Sequence, residues 1–309
     1  MKKRKILFPV LCCALLLSAC VQGTREEDAD KQGSTTGVQI EEKDGKEFFV
    51  FQDVEGNTYR SELQEKAPRN TYDFANLHTD EETGFKSYKD EKTGTVSRMG
   101  IDVSEFQGED IDWKQVRESG IEFVIVRLGY RAYGETGELV LDDMFDQNVQ
   151  GALDAGLDVG VYFFSQAITP GEAVEEAEFV LKHIRGYEID GPVVYDTEEI
   201  KGDTARTDGN TRQEFTNYCK VFCDTIEQSG YDPMIYANMK WMAFTLDMDE
   251  LEGYDFWYAD YHDVPQCPYE YEIWQYSETG TVPGINANVD LNIWFQEPEP
   301  RQNDRIQEK

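Results

Sequence analysis

Histidine is scarce in this chain, three residues in 309, and cysteine is limited to six. Basic residues are in deficit, 29 Lys and Arg against 62 Asp and Glu, for a formal net charge of −33. That balance removes nucleic acid from the partners to consider, because such binding rests on neutralising phosphates. Cys219 and Cys223 stand four apart in a helical pattern, but no second pair at zinc-finger spacing accompanies them, so a metal site is not the preferred reading of the pair. With Cys267 they are expected to be buried, inert thiols. Long apolar runs are missing too: Ile6–Leu17 spans 12 residues, short of the roughly 20 needed to cross a bilayer.

What is present begins with address information. Lys2, Lys3, Arg4 and Lys5 precede the apolar run and Leu17-Ser18-Ala19-Cys20 follows it, the pattern of a secretory signal ending in a bacterial lipobox. Residues 1–19 are read as the signal peptide and Cys20 as the lipidation site, leaving an extracytoplasmic, monomeric body anchored to the cell membrane by its acyl chains. Removing residues 1–19 takes away four basic residues and no acidic ones, moving the net charge from −33 to −37. Residues 20–46 are polar and poor in apolar side chains, a composition for a disordered tether. Residues 47–97 form an accessory region, with a hairpin expected around Phe48-Phe49-Val50-Phe51 and Thr58-Tyr59. Residues 98–297 carry the main domain, and 298–309 a polar tail.

From Met99 onwards short β-rich runs alternate with segments of helical period. Strands are expected at Met99–Ser104, Phe123–Leu128, Asp158–Phe164, Val193–Asp196, Pro233–Ala237, Phe256–Asp260, Ile273–Tyr276 and Val289–Ile293. Helices are expected at Trp113–Ser119, Met144–Ala155, Gly171–Ile184 and Arg212–Ser229, the first capped by Asp112, with Gly120, Gly156 and Gly230 as stop signals. The alternation implies an α/β fold, a TIM-like (β/α) barrel. Connections between Phe256 and Ile293 are too short for full helices, so the barrel should be regular in its first half and β-rich in its second. A doubly wound open sheet is disfavoured because no Gly-rich phosphate loop follows the first strand. The barrel pattern is complete from Met99, so a chain starting near Val96 is expected to fold alone.

Carboxylates stand where such a barrel puts its active site. Asp102 lies near the end of the first strand, and Asp196 and Glu198 close the fourth. Positions i and i+2 of an extended chain share a face, so Asp196 and Glu198 point one way and Glu199 the other. Two acids on one face repel, which keeps one of them protonated for general-acid work. Asp290 on the eighth strand becomes a neighbour of Asp102 when the barrel closes. Asp112, Asp142, Asp143 and Asp203 read as caps and turns. Sugar rings stack on flat side chains, and Tyr162, Phe164, Tyr236, Trp257 and Tyr261 are the aromatic candidates for substrate contact. Phe163, Phe256 and Trp294 are assigned to core packing. Arg127 either positions a carboxylate or substrate group, or forms a structural ion pair.

The stretch from Met99 to about Phe295 resembles glycoside hydrolase family 25, the Chalaropsis-type lysozymes. The resemblance rests on Gly100-Ile101-Asp102-Val103-Ser104, Ile111-Asp112-Trp113, Phe123-Val124-Ile125-Val126-Arg127, Gly160-Val161-Tyr162-Phe163-Phe164, Asp196-Thr197-Glu198, Trp257-Tyr258-Ala259-Asp260-Tyr261, Trp274-Gln275-Tyr276 and Val289-Asp290-Leu291-Asn292. It implies a muramidase that cuts the β-1,4 link from N-acetylmuramic acid to N-acetylglucosamine in peptidoglycan. Glu198 would be the general acid, assisted by Asp196, Asp102 and Asp290, with Gln275 among the substrate contacts, and no metal or cofactor is implied. It implies either attack by the substrate's own acetamido group with Asp196 steadying it, or a single displacement by water with the same acids. Phe163 departs from the pattern, since His is frequent there. Two other readings compete: a glycan-binding lipoprotein without turnover, against which the four acids argue, and a transporter's solute-binding lipoprotein, which requires two α/β lobes.

Overall fold

The computed structural model describes residues 37–134 and 136–298; the expected signal, Cys20, most of the tether and the tail beyond 298 lie outside them. Among the described residues no helix is long and apolar enough to cross a membrane. Fourteen strands and four α-helices follow in order. Strands β1 (Gln39–Lys43), β2 (Lys46–Gln52) and β3 (Thr58–Glu62) make an antiparallel three-stranded sheet, and β4 (Leu77–Thr79) pairs with β5 (Lys86–Tyr88). Ordered structure thus begins earlier than the composition suggests, because β1 lies inside the stretch read as tether and pairs along its length with β2.

The barrel is built from β6 (Val96–Val103), β7 (Phe123–Arg131), β9 (Asp158–Phe164), β10 (Val193–Asp196), β11 (Pro233–Asn238), β12 (Asp255–Ala259), β13 (Ile273–Gly280) and β14 (Val289–Gln296), closed by β14 on β6. A short β8 (Leu139–Leu141) hangs antiparallel on β7 outside the ring. Helices α1 (Trp113–Glu118), α2 (Phe145–Asp154), α3 (Pro170–Ile184) and α4 (Arg212–Glu227) occupy the first-half connections. Asp112 caps α1 by accepting from Gln115 N at 3.1 Å, and Thr211 and Glu214 form a reciprocal capping box on α4. One departure from an all-parallel barrel is β14, antiparallel to both neighbours. The connection between β13 and β14 carries no helix, and a short link joins antiparallel strands readily but cannot make a parallel crossover.

Strand alternation sorts side chains between two cores. Phe123, Ile125, Val194, Met234, Tyr236, Trp257, Ala259 and Ile273 fill the barrel interior with Tyr162 and Trp294, whereas Val124, Val126, Phe163, Tyr195, Tyr258, Trp274 and Phe295 join the outer core. Gly100 makes the interior possible on β6, since a Cβ there would come within 2.3 Å of the Phe123 ring. Cys219, Cys223 and Cys267 are free and buried.

The helix-poor second half of the barrel is covered by the accessory region. Tyr72 stacks on Phe295 with ring centroids 4.0 Å apart, Tyr88 meets the same ring edge-on at 5.2 Å, Phe74 packs on Trp274 and Phe49 on Tyr269. Backbone polar groups are satisfied across the same seam: Tyr72 donates to Tyr271 O at 3.1 Å, and Lys86 N donates to the Tyr276 hydroxyl at 3.2 Å. All eight barrel strands lie within Val96–Gln296, but the outer apolar face of β13 and β14 is covered by residues 67–88 instead of by helices.

Candidate active site

The carboxylates expected from strand alternation converge at the carboxyl ends of the parallel strands. A cavity of about 250 Å³ is lined by Asp102, Val103, Ser104, Phe106, Gln107, Arg127, Tyr162, Phe164, Asp196, Glu198 and Asp290. A second, larger cavity of about 490 Å³ lies at the opposite end, near the starts of β12 and β13. The chemistry sits in the smaller one.

Antiparallel pairing of β14 with β6 sets Asp290 directly opposite Asp102. Asp102 is buried, and its Oδ2 accepts from Gln275 Nε2 at 3.0 Å and Asn292 Nδ2 at 2.8 Å. Each amide is itself held. Gln275 Oε1 accepts from the hydroxyls of Tyr236 (3.0 Å) and Tyr261 (2.9 Å), and Asn292 Oδ1 accepts from Trp257 Nε1 at 2.8 Å. The Trp257 indole nitrogen can only donate, which fixes the Asn292 oxygen towards it and the Asn292 NH₂ towards Asp102. Burial raises the Asp102 pKa, against the pull of the Asn292 and Gln275 donors. Burial and then the Asp102 charge push Asp290 up to about 9.

The second pair ends β10. Asp196 is buried, and its Oδ1 has no hydrogen-bond partner among the described residues. Its pKa is raised well above the ordinary value by burial and then by the nearby Glu198. Glu198 is half-buried at the cavity wall. Burial pushes its carboxyl up to about 7, against the pull of the Lys201 ammonium. Two neighbouring acids with raised affinities hold a proton between them through neutrality. Glu199 is exposed and is not among the residues lining the cavity.

Of the expected substrate contacts, Tyr162, Phe164 and Arg127 line the cavity. Tyr236, Trp257 and Gln275 do not; they are buried and form the layer behind Asp102. Tyr261 is half-buried, with its hydroxyl turned to Gln275. Tyr236 and Trp257 belong to the barrel interior, and the amide network draws the polar atoms of these residues away from the opening. Arg127 resolves towards the ion pair: Nε donates to Asp142 Oδ2 at 2.7 Å and a terminal nitrogen to Glu105 Oε1 at 2.8 Å. Asp142 is a turn residue as expected, accepting from Met144 N at 2.9 Å, and also the buried partner of Arg127.

Some participants were not singled out from the sequence. Asn292 is one, although it stands two residues after Asp290 on the same face. Phe106, 75% exposed at the cavity mouth with Arg127 5.0 Å from its ring centre, is another. Behind β10, Ser165 Oγ lies 2.6 Å from Glu176 Oε2 and 2.7 Å from the Tyr195 hydroxyl, and Arg131 Nε donates to Glu176 Oε1 at 2.7 Å. That buried network braces the strand carrying Asp196.

A sequence model of glycosyl hydrolases family 25 matches residues 101–285. An autolytic lysozyme of Clostridium acetobutylicum is 27% identical over 194 residues, covering 62% of this chain, which spans only 54% of that relative's length. Lysozyme M1 of Streptomyces globisporus is 27% identical over 224 residues, 68% of this chain and 74% of that protein. Among solved structures, a family 25 glycosyl hydrolase from Bacillus anthracis superposes with a TM-score of 0.53 at 19% identity, over 74% of this chain and 98% of that one, a likeness that bears on the fold. With the family pattern matched over residues 101–285, which hold Asp102, Asp196 and Glu198, the chain belongs to glycosyl hydrolases family 25.

Proposed function

We propose that this chain is a muramidase, a glycoside hydrolase that cuts the β-1,4 bond between N-acetylmuramic acid and N-acetylglucosamine in peptidoglycan. The observation that carries the reading is four carboxyl groups, Asp102, Asp196, Glu198 and Asp290, around one cavity at the strand ends. Glu198 gives its proton to the departing sugar oxygen, and its affinity near 7 suits that task. Asp196, with an unpartnered buried oxygen, faces the positive charge that grows at the anomeric carbon. Asp102 and Asp290 complete the ring of carboxyls around the cavity. Retaining and inverting routes draw on the same acids, and the lysozymes among the relatives support the substrate class. Clearing of a purified peptidoglycan suspension by the full chain tests the reading. Clearing is expected to weaken as pH rises through about 7, where Glu198 loses its proton; no clearing at any pH would defeat it.

We further propose that the enzyme works outside the cytoplasm as a monomer, anchored through Cys20. Replacing Cys20 by Ala should abolish metabolic acyl labelling, and labelling that survives the change would overturn the anchor.

A further inference from the structure

Among the residues that line the cavity, Phe106 alone is exposed; the others are buried or half-buried. A phenyl ring left in water forgoes the burial that stabilises most of its kind, and a lone exposed apolar residue says little by itself. This ring, however, is firmly mounted. Phe106 sits in a one-turn 3₁₀ helix, Glu105–Gln107, between β6 and α1. Ser104 Oγ accepts from Phe106 N at 3.3 Å, and Gln107 Oε1 accepts from Ser104 N at 2.8 Å, a reciprocal cap.

The turn is also tied to the segments on either side. Glu105 N donates to the buried Asp142 Oδ2 at 3.1 Å, and Arg127 donates to the Glu105 carboxylate at 2.8 Å. Gln107 Nε2 donates to Asn288 O at 3.0 Å, two residues before Asp290. The Arg127 guanidinium backs the ring 5.0 Å from its centre. Backbone, flanks and one face of the ring are thus held, while the ring itself remains 75% exposed. Arg127 is spent on Asp142 and Glu105, so what the mounting presents is a flat, neutral surface.

The cavity, at about 250 Å³, is smaller than the roughly 300–1,000 Å³ of pockets that enclose a drug-sized ligand. A strand of linked sugars therefore has to continue over its rim. Phe106 both lines the cavity and reaches solvent, which places it on that rim. Sugar rings offer apolar C–H faces, and an aromatic side chain already fixed in place takes such a face with little further loss of freedom. We infer that Phe106 is a substrate-binding platform on which a sugar of the glycan strand stacks, next to the sugar held among the acids. The ring sets affinity and stays out of the chemistry. The inference rests on the muramidase reading for the identity of the strand.

The test compares the full chain with Phe106→Ala, Phe106→Leu and Phe106→Tyr on soluble glycan strands freed of their peptides. The alanine and leucine variants should each raise KM by about fivefold to tenfold, the scale of one aromatic contact, with kcat held within about twofold. The tyrosine variant keeps the flat ring and should stay within about twofold of the wild-type KM. All three should melt close to the wild type, because the ring is exposed. An unchanged KM in the alanine variant, a wild-type KM in the leucine variant, or equal losses in the tyrosine and alanine variants would overturn the platform. So would a markedly lower melting temperature in the alanine variant, which would make the ring a packing residue. Co-sedimentation with insoluble peptidoglycan separates this inference from the reading beneath it. A wild type that binds without cleaving defeats the muramidase reading, and the platform then still requires weaker binding in the alanine and leucine variants than in the other two proteins. Cleavage with equal KM in all four proteins refutes the platform alone, and no binding by the wild type defeats both.

Discussion

Glu198→Gln is expected to lower turnover by about 10²–10⁴-fold, the usual worth of a positioned general acid, with glycan binding retained. The amide keeps the shape of the side chain but has no proton to release to the departing oxygen. Asp196→Asn should cost turnover on a similar scale, through loss of negative charge beside the developing cation. Asp196 and Glu198 titrate as a pair, so the substitution should also shift the pH profile of the residual activity. Glu199→Gln is the control, since that side chain is exposed and does not line the cavity. Near wild-type turnover in Glu198→Gln together with a dead Glu199→Gln would reverse the assignment.

A chain that starts at Val96 is expected to lose its cooperative fold. It would lack Tyr72, Phe74 and Tyr88, which cover Phe295 and Trp274, and Phe49, which packs on Tyr269. Burying one large apolar side chain stabilises by about 1.5–3 kcal/mol, and whole domains are stable by only about 5–15 kcal/mol, so losing four such contacts and exposing their partners consumes the margin. Circular dichroism melts of the shortened and full chains decide it. A sharp transition near that of the full chain would mean that the barrel closes without its cover. A milder probe is Phe74→Ala, expected to cost about 3–5 kcal/mol.

Much of this was legible before any coordinates. The strands β9 and β10 begin and end where alternation put them. The pairing of Asp102 with Asp290 followed from closure of the ring, and the shared face of Asp196 and Glu198 from the two-residue period. These are local rules with one global constraint, and they fix which way a side chain points. They do not fix how far it reaches. Trp257 and Gln275 were expected at the substrate, yet their polar atoms are spent on Asn292 and Asp102, which only the relative depths of neighbouring strands decide. Glu176 was invisible for another reason: in sequence it is one more acid in a helix, and its pairing with Arg131 and Ser165 joins segments far apart in the chain. Residues 64–96 have no period because they lie as an irregular strip over the barrel, taking their order from the surface beneath. The direction of β14 was set by the length of its connection, a signal present in the sequence and consistent with the β-rich second half.

The central claim, that the four carboxyls around the cavity cut muramyl bonds, is tested most directly by the new chain ends the enzyme creates. Purified peptidoglycan is digested with the full chain, the products are reduced with borohydride, and the reduced sugars are identified by mass analysis. The account predicts new reducing ends on N-acetylmuramic acid, absent from a Glu198→Gln digest. Reducing ends on N-acetylglucosamine, or release of peptides with the glycan intact, would contradict it.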